Sequence, residues 1–417
     1  MNRDTYFIKP SAFCCKLFNV HKWLHKWRSA GTGALIGFLI GIITQITTDL
    51  NATSFAYLID RLLKPIGHPL TWLFIISFLG LFLFWIVEPL LTLYVRRKRW
   101  EVLLADLTRL RTARSISSFS SSTITWGECL TLQLCHDLER GWNLEGIVMI
   151  KTPGAHQFTL AHSDQPLYNE FRKANKDKKW YTSDGLSYRL VKNPVSFSDT
   201  PNLVLEVQRC LYSQVQYTNN VIASSQPRQH EALKSIIEGK SNFANTFVIH
   251  SVVITSDNFF LATLSSPKKD YFGNLWSISI EEQLKDDDLV IETDKRVLHW
   301  MKRALSEELG VAETDYFDYN LRALSVFVEG HNLNCGLIIV AHLNITHREL
   351  GSIIESKPRE DYEFTKYKFL DLKKVIAILR SPVGWQLHPT SEYRMFLTLV
   401  HKVGTVNAAK KIFFQSP

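Results

Sequence analysis

The chain has 417 residues, with 48 Lys and Arg against 40 Asp and Glu and a formal net charge of +8. The basic excess does not require a nucleic acid polymer as partner: residues 1–28 and 96–114 each carry a surplus of about five positive charges, and the rest is close to neutral. The six cysteines (Cys14, Cys15, Cys129, Cys135, Cys210 and Cys335) show neither a CxxC pair nor a Cys/His grouping at zinc spacing, which fits a reduced cytosolic compartment.

In chain order, a basic N-terminus over 1–28 comes first, followed by two long apolar runs within 29–95. Residues Gly31 to Leu50 hold no charge before Asp49, and about 20 helical residues at 1.5 Å each cover the roughly 30 Å of a bilayer core. Residues Leu70 to Val87 form a second uncharged run richer in Leu, Ile and Phe, giving spans of about 31–50 and 70–90. Soluble helices rarely run that far without a polar face. Arg3, Lys9, Lys16, Lys22, Lys26 and Arg28 precede the first span and Arg96, Arg97, Lys98 and Arg99 follow the second, whereas the connecting loop offers Arg61 and Lys64. The charge asymmetry predicts a multi-pass inner-membrane hairpin with both termini cytoplasmic, its basic flanks against anionic headgroups of the lipid bilayer. Gly33, Gly37 and Gly41 share one face of the first span and suit close helix packing, either within the hairpin or between chains of a homo-oligomer.

Residues 96–125 read as a juxtamembrane helix, Trp100 to Arg114, and a Ser-rich linker, Ser115 to Thr125; residues 126–200 read as a small mixed region. From 201 to 417 strand-like runs appear at 203–208, 247–255, 259–266 and 276–282. A helix follows, with Val297, Leu298, Met301, Leu305 and Leu309 at helical spacing, Thr293 or Asp294 as its cap and Gly310 as its stop. Strands at 321–330 and 335–346, a short helix over 347–356, a segment over 362–372 and helices near 372–381 and 393–403 complete an α+β sandwich.

The helix carries the informative motif. Arg303, Ala304, Leu305, Ser306, Glu307, Glu308, Leu309, Gly310 and Val311 resemble the second half of the Nudix box, R-E-U-x-E-E-x-G-U, with Ala304 the single departure. The resemblance implies that Glu307 and Glu308 hold magnesium against a diphosphate and that Arg303, Glu307, Glu308 and Gly310 mark a nucleotide site. The full box would also place Glu at 295 and Gly at 289, where the sequence has Lys295 and Leu289. Ala304 takes a carboxylate off the face it shares with Glu308. Asp286, Asp287, Asp288 or Glu292, in the insertion before the helix, would either replace that ligand or form a solvated acidic loop. The degenerate box therefore leans away from an enzyme.

A two-span hairpin joined to such a domain resembles the membrane-bound Nudix-type effectors of the bacterial anti-phage signalling systems termed CBASS. That resemblance implies a sensor for a cyclic nucleotide second messenger, made by a cognate CD-NTase (cGAS/DncV-like nucleotidyltransferase), that damages the inner membrane on binding. The alternative is a membrane-anchored Nudix hydrolase acting on a nucleoside diphosphate derivative; a structural membrane scaffold is the third reading. Other signatures fail: Gly239-Lys240-Ser241 lacks the first glycine of a phosphate loop, which is Lys234, and His331 and His342 are isolated.

Overall fold

The structure, a computed structural model, describes residues 122–404 apart from 127–128, 139, 153–156, 179–183, 193, 197–202, 238–240, 268, 270–271, 330–331, 358–362 and 381–383. The expected spans, Gly33, Gly37 and Gly41, the basic flanks and the helix over Trp100–Arg114 lie outside the described residues. Among the described residues no helix is long and apolar enough to cross a membrane.

Runs of branched and aromatic residues build the central strands. β8 (Phe247–Ile254) is buried at every position and β13 (Cys335–Leu343) at all but His342, as strands covered on both faces must be. They pair in parallel, from Cys335 opposite Phe247 to His342 opposite Ile254. Beside β13 lies β12 (Tyr316–Glu329), then β2 (Cys129–His136) and β1 (Ser122–Trp126); beside β8 lie β9 (Phe260–Ser265) and β10 (Trp276–Ser277). β11 (Ile280–Gln283) also pairs with β8, β14 (Phe364–Leu370) with β9 and β3 (Trp142–Asn143) with β12.

A smaller sheet holds β4 (Ile147–Lys151) parallel to β7 (Leu203–Leu211), with β5 (Leu186–Leu190) and β6 (Val195–Ser196) antiparallel to β7. The helices are α1 (Gln165–Ala174), α2 (Tyr212–Tyr217), α3 (Gln226–Ile237), α4 (Arg296–Leu309), α5 (His347–Ser356), α6 (Leu372–Arg380) and α7 (Ser391–Val403).

Helix α4 joins the two sheets. Its buried stripe of Val297, Trp300, Met301, Ala304, Leu305 and Leu309 enters one continuous core, and Trp300 packs its ring 5.5 Å from that of Phe247. Each large side chain so buried contributes about 1.5–3 kcal/mol. At its start Arg296 Nη1 donates to the Met149 carbonyl at 2.7 Å, and Met149 N–H donates to the Thr293 carbonyl at 3.0 Å, which ties the helix to β4.

Four expectations are corrected. The boundary at 201 fails because β7 belongs to the smaller sheet, its partners β4 and β5 lying upstream of that point. Residues 126–200 are not one small region: β2 and β3 pair with β12 in the large sheet. Ser122–Thr125 belong to β1 rather than to a linker, because Ile124 and its neighbours find partners on β2. Lys295, not Thr293 or Asp294, occupies the cap of α4, without a side-chain cap bond; the carbonyl of Thr293 instead receives Met149.

Candidate functional site

The half-box occupies the C-terminal half of α4 and its stop. Gly310 adopts φ 73°, the left-handed conformation in which glycine is unstrained, and its N–H donates to the Ser306 carbonyl at 2.9 Å. The Lys357 ammonium donates to the Glu307 carbonyl, offsetting the unfavourable position of two carboxylates at the negative end of the helix.

Arg303 spends all five of its N–H groups inside the protein. Nε and Nη2 reach the two oxygens of Asp288 at 2.9 and 2.8 Å, Nη1 reaches Glu282 at 2.6 Å and Glu307 at 2.8 Å, and Nη2 also reaches the Gln283 carbonyl at 2.8 Å. Lys285 Nζ adds contacts to Glu307 at 2.7 Å and Glu282 at 3.2 Å. Burial by itself would lower the affinity of Arg303 for its proton, but Asp288 and Glu282 raise it above the ordinary value. Burial likewise favours the acid form of Glu307, yet the bonds from Lys285 and Arg303 hold it below the usual carboxylate range.

Glu308, the next residue, is buried where Glu307 is exposed. It is buried beside a cavity of about 600 Å³ between the two sheets, of the size of small-molecule sites. Burial, then the charges of Glu363 and Glu282, push its carboxyl up to about 8. Of the four half-box positions, Glu307 and Glu308 line the cavity; Arg303 lies behind it in its network, and Gly310 ends the helix near Ile353. Ala304 is fully buried in the apolar core one turn before Glu308.

Magnesium takes six oxygens, one or two of them from protein carboxylates and the rest from water and substrate phosphates. The Glu307 carboxylate is paired with Arg303 and Lys285, and burial raises the neighbouring Glu308 carboxyl to about 8. The acidic insertion supplies no substitute: Asp288 is bound by Arg303, Asp286 by Arg209, Tyr188 and Lys151, and Glu292 by Lys295, while Asp287 is exposed. Among the described residues no three His, Cys, Asp or Glu side chains are placed to hold a metal ion.

The remaining lining comes from residues that the motif does not reach. Glu281, on β11, is bound by Arg394 of α7 at 2.7 Å, and Arg394, fully buried, also donates to the Ile278 carbonyl at 2.7 Å and Ser277 Oγ at 2.8 Å. Burial opposes the charge on Glu281, but His388 and Arg394 hold its carboxyl well below the ordinary range. His388 is driven down to about 3 chiefly by burial, and its Nδ1 accepts from Arg394 at 3.2 Å and from the Thr390 N–H at 3.3 Å. His250 of β8 and Glu329 of β12 complete the floor of the cavity. The signal available for them is a polar residue inside an apolar strand, the His250 of FVIHSVVI and the Glu329 that ends YFDYNLRALSVFVE. His342 lies outside this lining, with a pKa lowered to about 4 by burial and then by Lys402 and His401. His331, Gly239 and Lys240 lie outside the described residues.

No protein-family model and no curated protein matches the chain. Among solved structures it is similar to a protein of Deinococcus radiodurans at 16% identity and a TM-score of 0.26, over 36% of this chain and 80% of the other. It is similar to the MutT protein of Methanosarcina mazei Go1 at 12% identity and a TM-score of 0.23, over 36% and 90%. A bifunctional NMN adenylyltransferase/ADP ribose pyrophosphatase of Francisella tularensis, complexed with AMP and a Mn ion, is similar at 14% identity and a TM-score of 0.26, over 58% and 76%.

Proposed function

We propose that this chain is a membrane-bound effector of a CBASS-type anti-phage system, whose Nudix-like domain binds a cyclic nucleotide second messenger without turning it over and whose hairpin then compromises the inner membrane. The observation that carries the reading is the fate of the half-box. Arg303 consumes the carboxylates of Asp288, Glu282 and Glu307, and a cavity of about 600 Å³ is left without a metal-holding set among the described residues. Such an arrangement suits recognition rather than metal-assisted hydrolysis.

The cavity is also less acidic than its residue list implies. Glu281 is paired with Arg394, Glu282 and Glu307 with Arg303 and Lys285, Asp286 with Arg209, and Glu363 with Lys269, while burial raises Glu329 and Glu308 toward the neutral acid. A phosphate entering there meets little uncompensated negative charge. Tethering of ligand-bound domains raises the local concentration of hairpins, so the glycine faces need no new affinity to assemble.

The test uses the full chain in dye-loaded liposomes exposed to a panel of cyclic di- and trinucleotides. Dye release with one of them, abolished by Gly37→Ile while binding persists, is the expected result; no release and no binding across the panel removes the reading. A second reading, hydrolysis of a nucleoside diphosphate derivative, is favoured by Glu308, whose pKa of about 8 lies near the operating range of a general acid or base. Rapid magnesium-dependent turnover of ADP-ribose, lost in Glu308→Gln, would establish that reading.

A further inference from the structure

We infer that the corner of the large sheet carrying β10, β14 and the start of α6 docks on an anionic lipid bilayer, an interaction independent of what the cavity binds. Lys366 and Lys368 of β14 and Lys373 and Lys374 of α6 are all exposed, and among the described residues no carboxylate forms an ion pair with any of the four. Lys269, Lys285, Lys295 and Lys302, by contrast, are each paired with a glutamate. The one acid within the run is Asp371, whose Oδ1 accepts the Lys374 N–H at 2.6 Å at the head of α6.

Strand register places the residues of β10 and β14 on one face. Leu264 of β9 lies opposite Trp276 on one side and Lys366 on the other, so the three side chains form a row across the sheet, and Lys368 stands two residues along β14 on the same face. On the opposite face Tyr367 donates to Glu355 at 2.7 Å and the Phe369 ring packs 5.5 Å from His347, both of them on α5. The Trp276 N–H donates to the Gln386 carbonyl at 2.7 Å and the His388 N–H donates to the Trp276 carbonyl at 2.8 Å, which seats Trp385 beside the row. The two indoles meet edge to face at 5.2 Å, both partly exposed, and the Lys368 ammonium lies 4.7 and 5.1 Å from their centroids.

This chemistry matches a headgroup layer. Indole rings settle at the level of lipid headgroups, being apolar in body and polar at the N–H. Lysines carry the ammonium on a flexible stem that covers apolar surface while the charge reaches out to phosphate, and each one near an anionic membrane adds to the attraction without demanding a fixed geometry. An acidic polypeptide would also complement the charge. Carboxylates held at fixed positions, however, are matched by the planar fork of arginine, and the exposed cations of this run are all lysines. A pair of half-covered indoles with lysines on one side therefore fits lipid better than it fits an acidic protein.

The experiment treats the full-length protein in nanodiscs with an amine-acetylating reagent and compares discs of phosphatidylcholine alone with discs in which about a third of the lipid is phosphatidylglycerol. Acetylation of Lys366, Lys368, Lys373 and Lys374, read by mass spectrometry, is expected to slow about threefold or more in the anionic discs and to recover at high salt, while the exposed Lys173 and Lys178 are unchanged. Lys373→Glu combined with Lys374→Glu, both at exposed positions, is expected to return Lys366 and Lys368 to the rate seen in neutral discs. Trp385→Phe is expected to lower the fraction of tryptophan emission that brominated anionic lipid quenches. Equal acetylation in the two kinds of disc would overturn the inference, as would equal slowing at Lys173 and Lys178, which would mark attraction of the whole protein rather than of this face. Slowing produced by polyglutamate and not by anionic discs would assign the surface to an acidic protein instead. Protection of Lys366 and Lys368 that survives the charge reversal would likewise overturn a shared electrostatic surface.

Discussion

Strand β11 separates two polar clusters that are alike in composition and opposite in condition. Glu282 and Glu281 are consecutive, so they point to opposite faces of the strand. Glu282 meets Arg303, whose five N–H groups are all used. Glu281 meets Arg394, whose Nε is unpartnered, with His250 and Glu329 beside it also unsatisfied. The first cluster is fully paired within the protein, whereas the second keeps buried atoms without a partner, and both contribute to the lining of one cavity. Arg303 of the α4 motif thus serves the paired side of the strand, and the buried atoms without a partner lie on the other.

The largest effect expected on this comparison comes from Arg303→Met. It strands Asp288, which is fully buried, and Glu282 without their counter-charge, and breaking such a buried pair costs about 3–5 kcal/mol. Chemical denaturation followed by tryptophan fluorescence should show the loss, with Arg303→Lys recovering only part because one ammonium cannot replace the fork. A loss below 1 kcal/mol would mean that the network is not structural.

Gly336→Ala tests the unsatisfied side. The new methyl collides with the Phe327 and His250 rings, and overpacking of this kind costs about 1–3 kcal/mol. The imidazole should also be displaced, visible as a shifted His250 resonance. An unchanged resonance would show that the ring has room to move.

Glu308 supplies a test in pH. Its folded pKa is raised from the ordinary 4.5 to about 8, so the folded state binds a proton that the unfolded state has already released between those values. Its contribution to stability is complete below about pH 4.5 and is lost as pH rises to about 8. Glu308→Gln should therefore gain on the wild type by about 1–2 kcal/mol from pH 5 to pH 8, less than the full shift implies because a carboxylate at a cavity wall can relax toward water. A constant difference between the two proteins would place Glu308 in solvent. The smallest effect is that of Lys357→Ala, which removes the contact to the Glu307 carbonyl at the end of α4 and should cost about 0.3–1 kcal/mol, read as a small drop in melting temperature that high salt masks.

Much of this was legible from local pattern. Apolar periodicity placed α4, Gly310 marked its stop, and the branched and aromatic runs placed β8, β9, β12 and β13. The pairing of Arg303 with Glu307 was also within reach, since i,i+4 neighbours meet on any helix. Less legible were the strands before residue 200. Their partners are far away in sequence: β2 pairs with β12, and β4 with β7, whose N–H and C=O groups say nothing locally about where they will be satisfied.

The sequence by itself determined the elements of the second half of the chain, the acidic turn of α4 and the absence of Glu at 304 and 295, because these depend on side-chain spacing within a few turns of chain. Only the tertiary structure decided what the acids do. Glu307 is neutralised because Lys285 and Arg303 converge on it, Glu308 is raised because it is buried near Glu363, and His250 is buried between two carboxylates because β8, β11, β12 and α7 bring His250, Glu281, Glu329 and Arg394 together across up to 144 residues of chain, a convergence fixed by strand pairing and core packing rather than by any local motif.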